Sequence, residues 1–137
     1  MTAARVGYLA TTGADRRPHV VPVTFAVLDD RIVTVVDDKP KSTTELRRLR
    51  NIAENPRVAV LCDHYEDDWR RLWWVRADGV GDTVGDEGFR TRALSALAAK
   101  YPPYRKRPPS GPVLVVRVGS WTGWQYGDRA EVEGGQS

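Results

Sequence analysis

The stretch best equipped for chemistry is Val35-Val36-Asp37-Asp38-Lys39-Pro40-Lys41-Ser42-Thr43-Thr44-Glu45, where a strand-like run turns into a basic amphipathic segment. Ser42 and Glu45 stand at capping-box spacing, so a helix is expected to begin at Ser42 or Thr43. Its free backbone N–H groups and positive dipole end then lie beside the ammonium groups of Lys39 and Lys41. That combination binds anions, phosphates above all. The same residues also suit a plain capped helix with solvated lysines, and on their own they leave both readings open.

Other chemistries have less to draw on. There is no Walker phosphate loop, no glycine-rich dinucleotide turn, no HExxH and no cysteine pair. With His19 and His64 alone and no GxSxG elbow, a Ser–His–Asp triad has little material. The acidic turn Asp63-His64-Tyr65-Glu66-Asp67-Asp68 lacks the spacing of a metal motif, so no metal site is expected. Cys62, behind Val58-Ala59-Val60-Leu61, reads as an inert buried thiol. What remains is an anionic cofactor that carries the chemistry itself.

The elements that must position this corner follow from periodicity. Strands are expected over 6–12, 19–28 with Pro22 inside, 31–36, 57–62, 70–83, 113–118 and 119–127. Asp29-Asp30 is a tight turn, and Pro22 marks an edge, bulge or rim because it cannot donate to a ladder. One helix spans about 43–54, with Leu46, Leu49, Ile52 and Ala53 inward and Arg47, Arg48 and Arg50 over the rest. A second spans 86–100, burying Phe89, Leu94, Leu97 and Ala98. Trp73 and Trp74 point to opposite faces of their strand, one core and one at an interface or pocket. The run 101–109 reads as an irregular basic loop.

These elements make a mainly β chain, one domain over 1–127 with a frayed polar tail over 128–137. Its 137 residues suffice for a real core, and 41% hydrophobic with 28% charged is ordinary soluble composition. No apolar run reaches spanning length, so no membrane insertion is expected. The N-terminus runs straight into a strand and the cysteine is single, so a cytoplasmic chain without signal peptide is expected. The cations are spread among 18 acidic residues, which argues against a nucleic-acid face.

Several motifs, in order, resemble the split-barrel flavin-binding superfamily. They are Val6-Gly7-Tyr8-Leu9-Ala10-Thr11, Arg17-Pro18-His19-Val20-Val21-Pro22-Val23, Asp37-Asp38-Lys39-Pro40-Lys41-Ser42 and Asn55-Pro56-Arg57-Val58-Ala59-Val60. Asp63-His64-Tyr65, Asp68-Trp69 and Leu72-Trp73-Trp74-Val75-Arg76-Ala77-Asp78-Gly79 are similar to its actinobacterial branch of small oxidoreductases using the deazaflavin F420, kin of pyridoxamine 5'-phosphate oxidase. The likeness runs from about Arg5 to Tyr126.

The resemblance implies a six- to seven-stranded antiparallel split β-barrel, FMN-binding-like, with two main flanking helices. It implies a homodimer with cofactors in grooves between the subunits. By that resemblance Lys39, Pro40, Lys41, Ser42 and Thr43 hold the cofactor phosphate, and the ring lies along Val21, Pro22, Val23 and Thr24 and beside Val36 and Asp37. Trp74 or the strand beginning at Trp121 supplies a wall, and Tyr65, Tyr126 or solvent a proton. The implied reaction is hydride transfer between F420 and a small conjugated or quinone-like substrate. The alternatives are an FMN-dependent enzyme like pyridoxamine-phosphate oxidase, or a non-catalytic carrier of flavin, deazaflavin or heme.

Overall fold

Two residues, Thr24 and Phe25, decide the architecture. In the computed structural model, which describes residues 1–36, 43–126 and 131–134 (side chains over 1–36 and 47–126), they separate β2 (Pro18–Val23) from β3 (Ala26–Leu28). Preceding them is β1 (Gly7–Thr12), and β4 (Arg31–Val35), β5 (Arg57–His64), β6 (Trp73–Thr83), β7 (Val113–Gln125) and β8 (Glu131–Gly134) follow. The sheet order is β2-β1-β5-β6-β7-β4-β3, every pair antiparallel. β2 and β3 thus stand at opposite ends of the sheet, yet a link of two residues reaches about 10 Å at most. Only a sheet rolled nearly shut satisfies both, and the fold is a split barrel.

The roll encloses one core and backs onto a second. Leu9, Phe25, Ile32, Val60, Cys62, Ala77, Leu114 and Val116 fill the interior, with Ile52 of α1 (Thr43–Glu54) closing one end. On the other side of β4 and β7, Val33, Val35, Val113 and Val115 meet Ala93 and Leu97 of α2 (Glu87–Lys100) and Tyr101. Burial on both faces is why 113–116 reads as an unbroken apolar run and 32–36 as one interrupted only by Thr34, rather than as alternating strands. Asp86 caps α2, its carboxylate accepting from the Phe89 N–H at 2.9 Å.

Several local expectations are corrected. The strand expected over 19–28 breaks at Thr24–Phe25, where the barrel turns its corner, and not at Pro22, which lies on the edge strand paired with Tyr8. The strands expected over 113–118 and 119–127 are one strand, β7, its N-terminal half paired with β4 and its C-terminal half with β8. The tail expected to fray therefore contributes β8. Residues 102–106 form a short helix, α3 (Pro102–Lys106), opened by prolines at positions that need no N–H. In α1, Ala53 is exposed, whereas Arg48 and Asn51 are buried at 7% and 2% exposure. Asn51 is held inward by donating to the Thr11 hydroxyl at 3.0 Å.

β6 and β7 slip register at Asp78/Gly79, with Gly119 as the extra residue. A Cβ on Gly79 would stand 2.2 Å from the Arg117 carbonyl oxygen, so the strands can approach there only with glycine. Gly79→Ala is expected to destabilise the fold by roughly 1–3 kcal/mol or more, the cost of forcing atoms into a filled space. A denaturant midpoint equal to that of the parent would show that the bulge relaxes freely.

Candidate functional site

The pleat sorts β1, β5, β6 and β7 into two faces. Leu9, Val60, Cys62 and Ala77 point into the roll; their neighbours Tyr8, Ala10, Ala59, Leu61, Asp63, Trp74, Arg76 and Trp124 point out. Register places Tyr8 opposite Leu61, Leu61 opposite Arg76, Asp63 opposite Trp74, and Trp74 opposite Trp124. Together with Val20 of β2 they line an open groove of about 480 Å³, a volume suited to a small molecule.

The groove is apolar but not bare of polar groups. Val20 and Tyr65 are 60% and 74% exposed, so the sheet carries a contiguous hydrophobic face toward solvent. Arg76 and Asp78 form an ion pair at 2.9 Å beside it. At the far rim, Glu66 accepts hydrogen bonds from His64 and, at 3.0 Å, from Arg71. The bond from His64 is the main reason the Glu66 carboxyl lies below its ordinary range. His64 stacks on Trp73 with the planes 18° apart, so the same network fixes that indole against the groove and the core.

A second, polar corner lies behind β2. His19 is directly opposite Thr11 on the face turned toward α1. Among the described residues its Nδ1 is buried without a hydrogen-bond partner. Burial, aided by the nearby cations Arg47 and Arg48, lowers its pKa below 6.5.

The residues expected to hold a cofactor fall into four groups. Val23 and Val36 are buried and Val21 packs against the interior, so their side chains are not exposed to a ligand, and the Val36 N–H already donates to the Pro112 carbonyl at 2.8 Å. Pro22 is on the outer face, and Thr24 bonds Tyr104 through its hydroxyl at 2.8 Å. Asp37, Lys39, Pro40, Lys41 and Ser42 lie outside the described residues, and Thr43 is described only as the first residue of α1. Trp74 and Trp121 are on opposite faces: Trp74 lines the groove, Trp121 packs against the interior core, and Trp124 lies across from Trp74. Tyr8, Leu61 and Arg76 were not foreseen as groove residues, although period-two alternation along 8–10 and 59–63 carried the signal.

This rolled sheet with an apolar outer groove defines the class of split-barrel proteins. The family model described as pyridoxamine 5'-phosphate oxidase matches residues 1–125, and the chain belongs to that family. It is 36% identical over 63 residues to the 5a,11a-dehydrotetracycline/5a,11a-dehydrooxytetracycline reductase of Streptomyces rimosus, a match covering 46% of this chain and 43% of that one. The matched part is thus less than half the length of that curated relative. Among solved structures, a heme binding protein from Mycobacterium smegmatis superimposes with TM-score 0.74 at 23% identity, over 96% of this chain and 52% of the other. An FAD-binding protein from Mesorhizobium loti does so with TM-score 0.65 at 24% identity, over 89% and 86%.

Cys62 sits directly behind the groove, wholly buried, and burial pushes its thiol up to about 11. The thiolate is the reactive form, so alkylation of the folded protein is expected to be negligible and to stay so from pH 7 to 9. Labelling should appear only with global unfolding. Rapid labelling in native buffer, read by mass spectrometry, would show that the interior opens locally at β5.

Proposed function

We propose that this chain is an oxidoreductase that transfers a hydride between the deazaflavin F420 and a small conjugated or quinone-like substrate, working as a homodimer in the cytoplasm. The observation that carries the reading is the outer groove, which is apolar, of small-molecule size, and separated by the single strand β2 from a cationic corner. An anionic cofactor with a planar ring fits that division of surface. Family membership and the partial match to a reductase support it.

Each group then has a role. Lys39, Lys41, Ser42 and Thr43 hold the cofactor phosphate through charge and hydroxyl donors. The β2 backbone from Val21 to Thr24, with Val36 and Asp37, flanks the ring. β2 is an edge strand, so half of its amides and carbonyls point away from β1 and are open to a ligand. A bound deazaflavin supplies the hydride. The chain's own contribution is to orient both reactants and exclude water. Tyr65, projecting at the groove, can deliver a proton from its hydroxyl.

The apolar outer face supports the dimer. Tyr8, Val20, Leu61 and Tyr65 leave a hydrophobic surface that a second copy would cover, and a two-fold pairing would close two grooves at once. Sedimentation at micromolar concentration is expected to give twice the chain mass. A monomer at all concentrations would remove the shared site.

FMN is the second reading, favoured by likeness of fold to an FAD-binding protein, and a carrier role by likeness to a heme binding protein. Titration with F420, FMN and heme, followed by absorbance, ranks them, and turnover on quinone acceptors separates enzyme from carrier. Lys41→Ala is expected to weaken cofactor binding by roughly 1–3 kcal/mol, the loss of one charge-assisted contact. Unchanged affinity would overturn the assigned phosphate site.

A further inference from the structure

One charge in the outer groove has no counter-charge. Two of the lining side chains carry charge, Asp63 and Arg76, and five are aromatic. Arg76 is answered, its Nε–H donating to Asp78 at 2.9 Å. The cations that follow Asp63 in the chain are answered too, Arg70 by Asp68 at 2.9 Å and Arg71 by Glu66 at 3.0 Å. Asp63 itself has neither an ion pair nor a hydrogen bond among the described residues. Its surroundings are rings. The register sets Asp63 opposite Trp74 and Trp74 opposite Trp124, one row across β5, β6 and β7. Residues so opposed stand about 5 Å apart at Cβ, which makes the carboxylate and the Trp74 indole neighbours. Trp124 meets Tyr126 edge to face, with centroids 6.1 Å apart, and Trp73 is stacked by His64.

The face of an indole is the negative part of its quadrupole, and a carboxylate beside it adds a full negative charge. Anions are repelled by both, and a neutral aromatic molecule uses the rings alone. A cation is attracted by each. Covering the groove with a second copy strengthens the preference, because an uncompensated carboxylate is then taken out of water. We propose that the groove selects flat conjugated molecules carrying a cationic amine, with Asp63 the residue that sets this specificity. The inference rests on the groove being the substrate site of the proposed oxidoreductase, and it narrows the class of substrate. The ammonium group lies beside the Asp63 carboxylate and the rings of Trp74 and Trp124. The conjugated body extends from there toward Ala10 and Ala59, paired on adjoining strands, whose small side chains leave the groove open.

The test uses the full chain without cofactor and three probes of one shape: 2-naphthylmethyl-trimethylammonium, 2-naphthylmethanol and 2-naphthoate. Binding is read at fixed ionic strength from the indole N–H resonances of Trp74 and Trp124, assigned with Trp74→Phe and Trp124→Phe. The cation is expected to bind about tenfold tighter than the alcohol, the scale of a cation–π contact beside a carboxylate, and the naphthoate weakest. Asp63→Asn, of equal size, should bring the cation to within about twofold of the alcohol and leave the alcohol unchanged. Asp67→Asn, in the same turn but outside the groove lining, should change neither. Equal affinity for cation and alcohol, or a ratio untouched by Asp63→Asn, overturns the inference and leaves the oxidoreductase reading standing. So does a preference for the anion, which would make Arg76 the selecting group. If Asp63→Asn dissociates the dimer without changing the ratio, the carboxylate belongs to the subunit contact and the inference falls. Absence of binding by all three probes overturns it as well. A cation preference lost in Asp63→Asn supports it even where neither F420 nor FMN binds, and the proposed function then falls alone.

Discussion

The two-residue passage from β2 to β3 is the constraint on which the rest of the structure depends. It joins the first and last strands of the sheet, and every contact around it is made. The Phe25 N–H donates to the Tyr101 hydroxyl at 3.1 Å, the Thr24 carbonyl accepts from Thr34 at 2.6 Å, and the Thr24 hydroxyl meets Tyr104. Tyr101 in turn donates to the Arg5 carbonyl at 3.0 Å, tying the N-terminal segment to the same point. The Phe25 ring is wholly buried, with the Lys100 ammonium 3.7 Å from its centroid. Burial lowers the Lys100 pKa, and the aromatic face offsets part of that desolvation.

Rolling the sheet fixes what each face can do. The interior accepts only the inward half of each strand, and apolar side chains fill it, with the Lys100 ammonium against the Phe25 ring. The outward half is then free to vary, and over β1, β5 and β6 it is apolar where solvent alone would favour polar residues. Of its polar groups Arg76 pairs with Asp78, Glu66 meets His64 and Arg71 at the rim, and Asp63 stands across from Trp74. Such a face is costly to leave in water and is best explained by something that lies against it.

Much of this was legible from residue pattern alone. The strand positions, the Asp29-Asp30 turn (both residues with positive φ, as the tight hairpin requires) and the split assignment of Trp73 and Trp74 all follow from alternation and turn chemistry. The family pattern covered the described sheet apart from β8. What escaped was set by partners distant in sequence. The break at Thr24–Phe25 depends on tyrosines some 80 residues away, as in the Thr24–Tyr104 bond with its separation of 80. Arg48 reads as part of a solvated helix face yet is buried, and Asn51, which the helix pattern did not single out, is held inward by Thr11, 40 residues earlier. The union of 113–125 into one strand shows in its pairing with β6, which continues past the bulge at Gly79 and Gly119.

β2 is where these strands of argument meet. His19 and Val20 are consecutive, and the pleat turns one toward the cations of α1 and the other into the groove. One thin edge strand therefore stands between the polar corner at His19 and the apolar groove. A ligand with a charged end and a planar apolar body can use both only by passing along the strand's free edge. Pro22 stands on that route, and its missing N–H costs nothing there because no ladder continues beyond it. A residue that looks like an error in a β-strand is thus consistent with an edge kept open, and the closure imposed at Thr24–Phe25 holds that edge beside α1.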